Sequence, residues 1–304
     1  MQIETVVNKR ILLSPLNWGM GHVSRCIGLI DALQSNGNTI VVACSEDQRS
    51  IFGQYFEDLT FTEHAGYPFN FKGKGNFGLD LLNKSSSLFK RLKQERKEVE
   101  AFVVEYKIDL VLSDHRYGFR STEVPSIFVT HQVNLPVRLH ERMVSVIHGS
   151  YLSKYDYIWV MDNANSDLAG KLSTSRRRNV SYIGPFSRFS RYLERPEKKF
   201  KHVLIASGPN IYAQQLVDEV LANDQFGKGL VVIHNGELSI PDDIKALSGN
   251  WKEQDQVIMQ ARHLISRSGY STIMDSTVLD TEATLIPTKG QREQEYLAEL
   301  FFKK

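Results

Sequence analysis

The sequence predicts an α/β protein of two Rossmann-like parallel-sheet domains. Three observations carry this. Two stretches, one opening at Arg10 and the other at His202, run apolar strand, glycine turn and helix in the same order. A charged segment from Ser187 to Lys201, with Arg195-Pro196-Glu197-Lys198-Lys199 inside it, separates them and has the composition of a linker. The 304 residues also suit two domains, at roughly 150 residues each. Residues 1–190 are therefore expected to form one domain and 200–304 the other.

Composition sets the outer bounds. Apolar residues make up 41% of the chain and charged residues 24%, the balance of a globular protein. The 37 basic and 35 acidic residues leave a net charge of +2, which gives no reason to expect a nucleic-acid partner. Cys26 and Cys44 fit no disulfide or metal framework by spacing and lie among apolar residues, as reduced core cysteines of a cytoplasmic protein do. The N-terminus has no signal-peptide pattern, and no apolar run reaches the ~18 residues of a membrane span. A cytoplasmic location is the expectation.

Arg10–Pro15 reads as the first strand, and Asn17-Trp18-Gly19-Met20-Gly21-His22 as a glycine-bearing loop running into a helix through Ile30. A strand at Thr39–Ala43 completes a βαβ unit. The loop lacks the third glycine and the ribose carboxylate of a dinucleotide fingerprint. His22 is its informative residue: an imidazole where loop becomes helix can take a proton near neutral pH, and a structural histidine is the competing reading. Phe52 to Phe77 is rich in Gly, Phe and Tyr, and reads either as the wall of an acceptor pocket or as an irregular surface loop. A helix from Leu81 to Tyr106 carries Lys90, Arg91, Lys93, Arg96 and Lys97 among Leu88, Phe89, Leu92 and Val99. A solvated face suits it, as does peripheral contact with the inner face of a membrane.

Strands at Ile108–Ser113 and Ser126–Thr130 end in Asp114-His115-Arg116 and in His131-Gln132-Val133-Asn134. In a parallel sheet such ends share one edge, so Asp114, His115, His131 and Asn134 are expected beside His22. They would serve there as catalytic or substrate groups, or as hydrogen-bonded loop positions. Tyr157–Asp162 and Val180–Phe186 close this half.

The second half opens with a strand at His202–Ala206, the turn Ser207-Gly208-Pro209-Asn210 and a helix at Ala213–Leu221, and continues with a strand at Leu230–His234. Ala261–Ser266 is a short buried strand, broken by Arg267-Ser268-Gly269, with Ser271-Thr272-Ile273-Met274-Asp275 opening a helix. A helix start offers unpaired N–H groups and the positive end of the macrodipole, so the glycine turns at Gly208 and Gly269 suit a diphosphate. Ala283–Pro287 reads as the next strand, followed by the polar loop Thr288–Arg292 and a helix from about Glu293.

At Arg267-Ser268-Gly269, Asp275 and Pro287 through Gln294 the chain resembles the UDP-sugar-binding half of glycosyltransferase family 28, the MurG-like enzymes. Gly19-Met20-Gly21-His22 resembles their Gly-Gly-His loop, and His131 with Asn134, more loosely, a His-x-x-Asn strand end. The resemblance implies the GT-B fold, with the two Rossmann-like halves facing one another across a cleft. It implies Arg267, Ser268, Gly269, Ser271 and Thr272 around the donor diphosphate, where the helix start after Gly208 joins them, with Asp275 on the ribose hydroxyls and Gln291, Glu293 and Gln294 toward the sugar. Gly19, Gly21, Asp114, His115, His131 and Asn134 would line the acceptor side of the cleft. Two residues depart from the pattern: Asp275 is one methylene shorter than the usual Glu, and Ala298 stands where Asn is common. The C-terminal half is short for the family, whose closing helices are expected to be missing.

The implied function is transfer of a sugar from a nucleotide sugar, UDP-linked by the resemblance, to an acceptor hydroxyl, with His22 as the base. No Asp-x-Asp segment ends a strand and no His/Cys cluster has ligand spacing, so metal independence is expected, with no cofactor beyond the donor substrate. A lipid-linked sugar, a polysaccharide end and a small molecule all fit as acceptor. Two other classes stay open. One is a UDP-sugar hydrolase of the nonulosonic acid type, in which water replaces the acceptor. The other is a non-catalytic sugar-nucleotide-binding module.

Overall fold

A computed structural model of the chain describes residues 1–67, 85–137, 142–223, 225–226 and 229–302. The glycine-rich end of the Phe52–Phe77 stretch and the first residues of the basic helix lie outside them.

Among the described residues twelve strands make two parallel sheets. The first contains β1 (Arg10–Pro15), β2 (Thr39–Cys44), β3 (Thr60–Glu63), β4 (Leu110–Asp114), β5 (Ser126–Thr130), β6 (Tyr157–Val160) and β7 (Val180–Tyr182), in the order β3-β2-β1-β4-β5-β6-β7. The second contains β8 (Phe200–Ala206), β9 (Leu230–His234), β10 (Lys245–Leu247), β11 (Ala261–Arg267) and β12 (Glu282–Ile286), in the order β10-β9-β8-β11-β12. The central strands are buried along nearly their whole length, which is why they read as unbroken apolar runs rather than as alternating ones.

Helices connect the strands: α1 (Met20–Ser35), α2 (Glu46–Tyr55), α3 (Ser85–Glu105) and α4 (Arg142–Leu152) in the first half, then α5 (Asn210–Leu221), α6 (Trp251–Met259), α7 (Tyr270–Leu279) and α8 (Arg292–Phe302) in the second. Helix α3 buries Leu92, Glu95 and Val99, while Lys90, Lys93 and Lys97 are exposed. Arg91 is drawn off that basic face, donating to Glu98 and to the Ala65 carbonyl.

In each sheet the chain order reverses beside the first strand, between β1 and β4 and between β8 and β11. Crevices form at the C-terminal strand ends at such switch points. Here they bring the Leu16–Gly19 turn next to Asp114, and the Ser207–Pro209 turn next to Arg267–Gly269. Pro15 and Asp114 are register partners, and Leu16 N–H donates to the Asp114 carbonyl at 3.0 Å.

The two halves are not separated by an open cleft along their whole seam. One apolar core takes Ile11, Leu13, Val23 and Ile27 from the first half and Trp251, Tyr270, Ile273 and Met274 from the second. Helix α1 provides the contact. A Cβ on Gly21 would stand 2.3 Å from Ser271 Oγ, and one on Gly28 would stand 2.5 Å from the Ser187 carbonyl oxygen.

Candidate functional site

Gly19 begins the site. Its φ of 131° is open to glycine and strained for any side chain, and it turns the chain from β1 into α1 with no side-chain cap. His22 follows in the first helical turn, with 17% of its side chain exposed. Its Nδ1 lies 2.7 Å from Oδ2 of Asp114, the buried last residue of β4. Arg25, one turn further along α1, forks onto the same carboxylate, with Nε 3.2 Å from Oδ2 and Nη2 on Oδ1. Arg25 Nη2 also lies 2.8 Å from His22 Nδ1. A ring nitrogen cannot both donate to Asp114 and accept from Arg25, and the carboxylate is the stronger acceptor. We therefore place the proton on Nδ1, which leaves Nε2 with its lone pair.

Arg25 Nη1 lies 3.1 Å from His131 Nδ1, and His131 Nε2 lies 2.7 Å from Glu293 Oε1 on α8. A guanidinium only donates, so His131 accepts at Nδ1 and donates from Nε2. This Glu293–His131 bond joins the two halves. The rings stack as well: His131 lies 4.1 Å from Tyr270 at 5°, and on its other side 5.4 Å from His115 at 17°. His115 has a φ of 61° and bonds Thr130 Oγ1 through Nε2, with Phe128 stacked beyond it.

The electrostatics follow from burial around one cation. Burial alone would raise the Asp114 carboxyl, but Arg25 and then His22 outweigh it and hold it down at about 2. Burial, reinforced by Arg25, keeps His22 below its ordinary value. Burial also lowers His131, against the pull of Glu293, and lowers His115 further still. The site therefore holds an ionised Asp114 and neutral imidazoles at neutral pH.

Several donor-side expectations need correction. Arg267 is buried, with Nη1 and Nη2 on Glu219 at 3.4 Å and on the carbonyls of Pro287 and Tyr212 at 3.3 Å, so those two nitrogens brace the strand ends, while Nε has no hydrogen-bond partner among the described residues. Asp275 is only 6% exposed. As a ribose ligand it would have to face solvent, yet Oδ1 accepts from Ser187 at 2.6 Å and Oδ2 from Arg188 at 2.9 Å. The face of α7 that looked outward in sequence is turned against α1 and the inter-sheet segment. Ser268 is buried and donates to the Gln294 carbonyl, and Thr272 lies 3.3 Å from Ser266 Oγ. Asn134 is a loop clamp, donating to the carbonyls of Lys171 and Thr174.

Other expected residues stay available. Gly269 caps α7 with no side-chain acceptor on its N–H groups among the described residues, and Ser271 follows it, half-buried against Gly21. Gly208 is exposed, with a φ of 99° and open space where a Cβ would lie. Gln294 Oε1 accepts from Thr288 N–H and folds the loop back, whereas Gln291 Oε1 is buried without a hydrogen-bond partner among the described residues. Arg25 was missed as a site residue. Its signal was in the sequence, as one charge inside the otherwise apolar or small run Val23–Ile30.

Among the described residues no group of three His, Cys, Asp or Glu side chains is placed to hold a metal ion, and no helix is long and apolar enough to cross a membrane. No protein-family model and no curated protein sequence matches the chain. Solved structures do match it along nearly its whole length. The glycosyltransferase of kitacinnamycin superposes with a TM-score of 0.65 at 14% identity, covering 97% of this chain and 84% of that one. UGT89C1 of Arabidopsis thaliana, complexed with UDP-L-rhamnose, gives 0.64 at 12% identity over 97% and 83%. The spinosyn rhamnosyltransferase SpnG, complexed with thymidine diphosphate, gives 0.61 at 14% over 97% and 91%.

The fold is GT-B. In GT-B terms the His22–Asp114 pair lies at the switch point of the N-terminal sheet, and Gly208 and Gly269 lie at that of the C-terminal sheet.

Proposed function

We propose that the chain is a glycosyltransferase that moves a sugar from a nucleoside-diphosphate sugar to an acceptor hydroxyl. The observation that carries this reading is the 2.7 Å bond between His22 Nδ1 and the buried, ionised Asp114. With Nδ1–H committed, Nε2 takes the acceptor proton, the acceptor oxygen bonds to the anomeric carbon, and the bond to the diphosphate breaks with its electron pair on the leaving phosphate. Asp114 stabilises the imidazolium that forms. The diphosphate is assigned to the open start of α7 at Gly269 and to the Gly208 turn, where N–H groups and the macrodipole take the developing charge without a metal. The orphan acceptor of Gln291 supports placing the sugar at the segment 288–294, the loop and the first turn of α8, as in the family 28 resemblance. The complexes of two structural neighbours, with UDP-L-rhamnose and with thymidine diphosphate, support a nucleotide-sugar donor.

The test has two arms. UDP or thymidine diphosphate, with EDTA present, is expected to raise the melting temperature; stabilisation that vanishes on chelation would remove metal independence. His22→Ala is expected to lower kcat by ~10²–10⁴-fold with little change in donor affinity. Near-normal turnover by the folded variant would sink the base assignment. Free sugar released without any acceptor would move the reading to hydrolysis, and binding without turnover would end the enzyme reading.

A further inference from the structure

We propose that Arg25 is the positioning residue of this site: it holds Asp114, and with it the His22 ring, and through His131 it ties that placement to the docking of Glu293 from the second half. The inference deepens the reading of His22 as the base and rests on it for any effect on rate. The bond pattern itself is independent of what the enzyme does.

A continuous chain of bonds carries it. Glu293 Oε1 accepts from His131 Nε2 at 2.7 Å, His131 Nδ1 accepts from Arg25 Nη1 at 3.1 Å, Arg25 Nε and Nη2 fork onto Asp114, and Asp114 Oδ2 accepts from His22 at 2.7 Å. All three nitrogens of the planar Arg25 guanidinium are used, Nε and Nη2 on Asp114 and Nη1 on His131. A lysine ammonium carries the same charge but cannot reproduce that fork.

His131 is the joint. Both of its nitrogens are bonded and both of its faces are covered, one by His115 of its own half and the other by Tyr270 of the second half. Two of its four constraints, the Tyr270 ring and the Glu293 carboxylate, therefore come from the donor-side half. If that half lifts, His131 loses its acceptor and a stacking partner, and Arg25 Nη1 loses an oriented acceptor. The docking of the second half and the geometry of the base are thus bonded to one another.

Among the described residues the groups facing His22 are Arg25 on α1, Asp114 and His115 at the end of β4, and His131 after β5, with Glu293 behind His131 on α8. Arg25 opposes protonation of His22 and Asp114 favours it. Removing the cation while keeping the carboxylate therefore has a definite sign.

Ring-nitrogen NMR on the full chain without ligand tests this, since nitrogen shifts report which ring atom carries the proton. The wild type is expected to show His22 protonated on Nδ1 and His131 on Nε2. In Arg25→Gln the His22 ring is expected to titrate at higher pH than in wild type, and Arg25→Lys, with the charge but not the fork, is expected to lose the single His22 tautomer. In Glu293→Gln, at a partly exposed position, both His131 and His22 signals are expected to change.

An unchanged His22 titration in folded Arg25→Gln overturns the role of Arg25. Unchanged His22 signals in Glu293→Gln overturn the link to the second half, and this variant decides alone if Arg25→Gln does not fold. No substrate enters these measurements, so a failure of the transferase reading would leave their result intact. Where turnover is measurable, Arg25→Gln is expected to lower kcat by ~10²-fold, as misplacement of a catalytic group does, with KM for the donor little changed.

Discussion

His148 supports the loop that carries His131. Its Nε2 donates toward the carbonyls of Gln132 and Val133, at 3.1 and 3.2 Å, and its Nδ1 accepts from the Tyr117 hydroxyl at 2.8 Å, so the neutral ring satisfies every partner. Burial pushes it down from 6.5 to about 4. His22, His115 and His131 are lowered too, each by burial first. With a depressed pKa in the folded state, the unfolded chain binds more protons between pH 6.5 and 4, so stability rises with pH through that window and is fully present above it. The melting temperature is therefore expected to be flat above pH ~7 and to fall steadily below 6.5, with a shallower fall in His148→Gln. A flat profile down to pH 4 would contradict burial of the neutral rings.

At this scale the sequence was partly legible. His22, Asp114 and His131 could be gathered at one edge because strand ends share an edge in a parallel sheet. Which of them bond could not be read, since it depends on side-chain reach across α1, β4 and β5. Asp275 misled for a related reason. Position along a helix does not say which face another helix will cover.

Helix α1 is the element that the contacts single out. Gly28 sits where the Ser187 backbone crosses, with the carbonyl oxygen 2.5 Å and the carbonyl carbon 2.8 Å from where a Cβ would lie. Backbone cannot swing aside as a side chain end can, so Gly28→Ala is expected to destabilise by about 1–3 kcal/mol despite its better helix propensity. Gly53 in α2 is the control, with no described residue within 4 Å of where a Cβ would lie. Gly53→Ala is expected to stabilise by about 0.5–1 kcal/mol. Urea denaturation of both variants checks the pair, and equal effects would refute the crossing as the cause.

Most elements were legible because apolar runs bounded by turns mark buried parallel strands: β1, β5 and β9 lie where the sequence placed them. Helices α2, α4 and α6 were not assigned. For α2 the signal existed, since Ser45 and Gln48 form a capping box. Strands β3 and β10 are sheet edges of four and three residues, too short for periodicity to stand out.

Across the whole molecule, Arg188 holds the halves together. It lies between the two sheets in sequence and is buried, with Nε 2.6 Å from Asp255 on α6, and with Nη1 2.9 Å from Asp275 on α7 and 2.6 Å from Ser24 Oγ on α1. Tyr55 from α2 reaches the same Asp255 at 2.7 Å. Arg188→Met would leave two buried carboxylates without their cation, at a cost of about 3–5 kcal/mol. Calorimetry is expected to show a lower melting temperature and a transition that broadens or splits as the halves lose their coupling; one sharp transition at the wild-type temperature would refute the role. The two-sheet architecture was legible from the repeated strand-turn-helix openings and the charged segment between them. The closed seam was not. It rests on absent side chains, Gly21 and Gly28, which carry no hydrophobic pattern.

The crossing at Gly28 also bears on how such a chain can be recombined. A chimera cut in the charged segment near residue 195, where composition invites it, would keep Ser187 and Arg188 with the first sheet but replace Asp255 and Asp275, the carboxylates Arg188 was shaped to meet. Sheets of matching topology would then be joined by a mismatched joint. The transferable unit is the second sheet together with residues 187–191 and the face of α1 bearing Ser24 and Gly28, a set that no single cut in the sequence delivers.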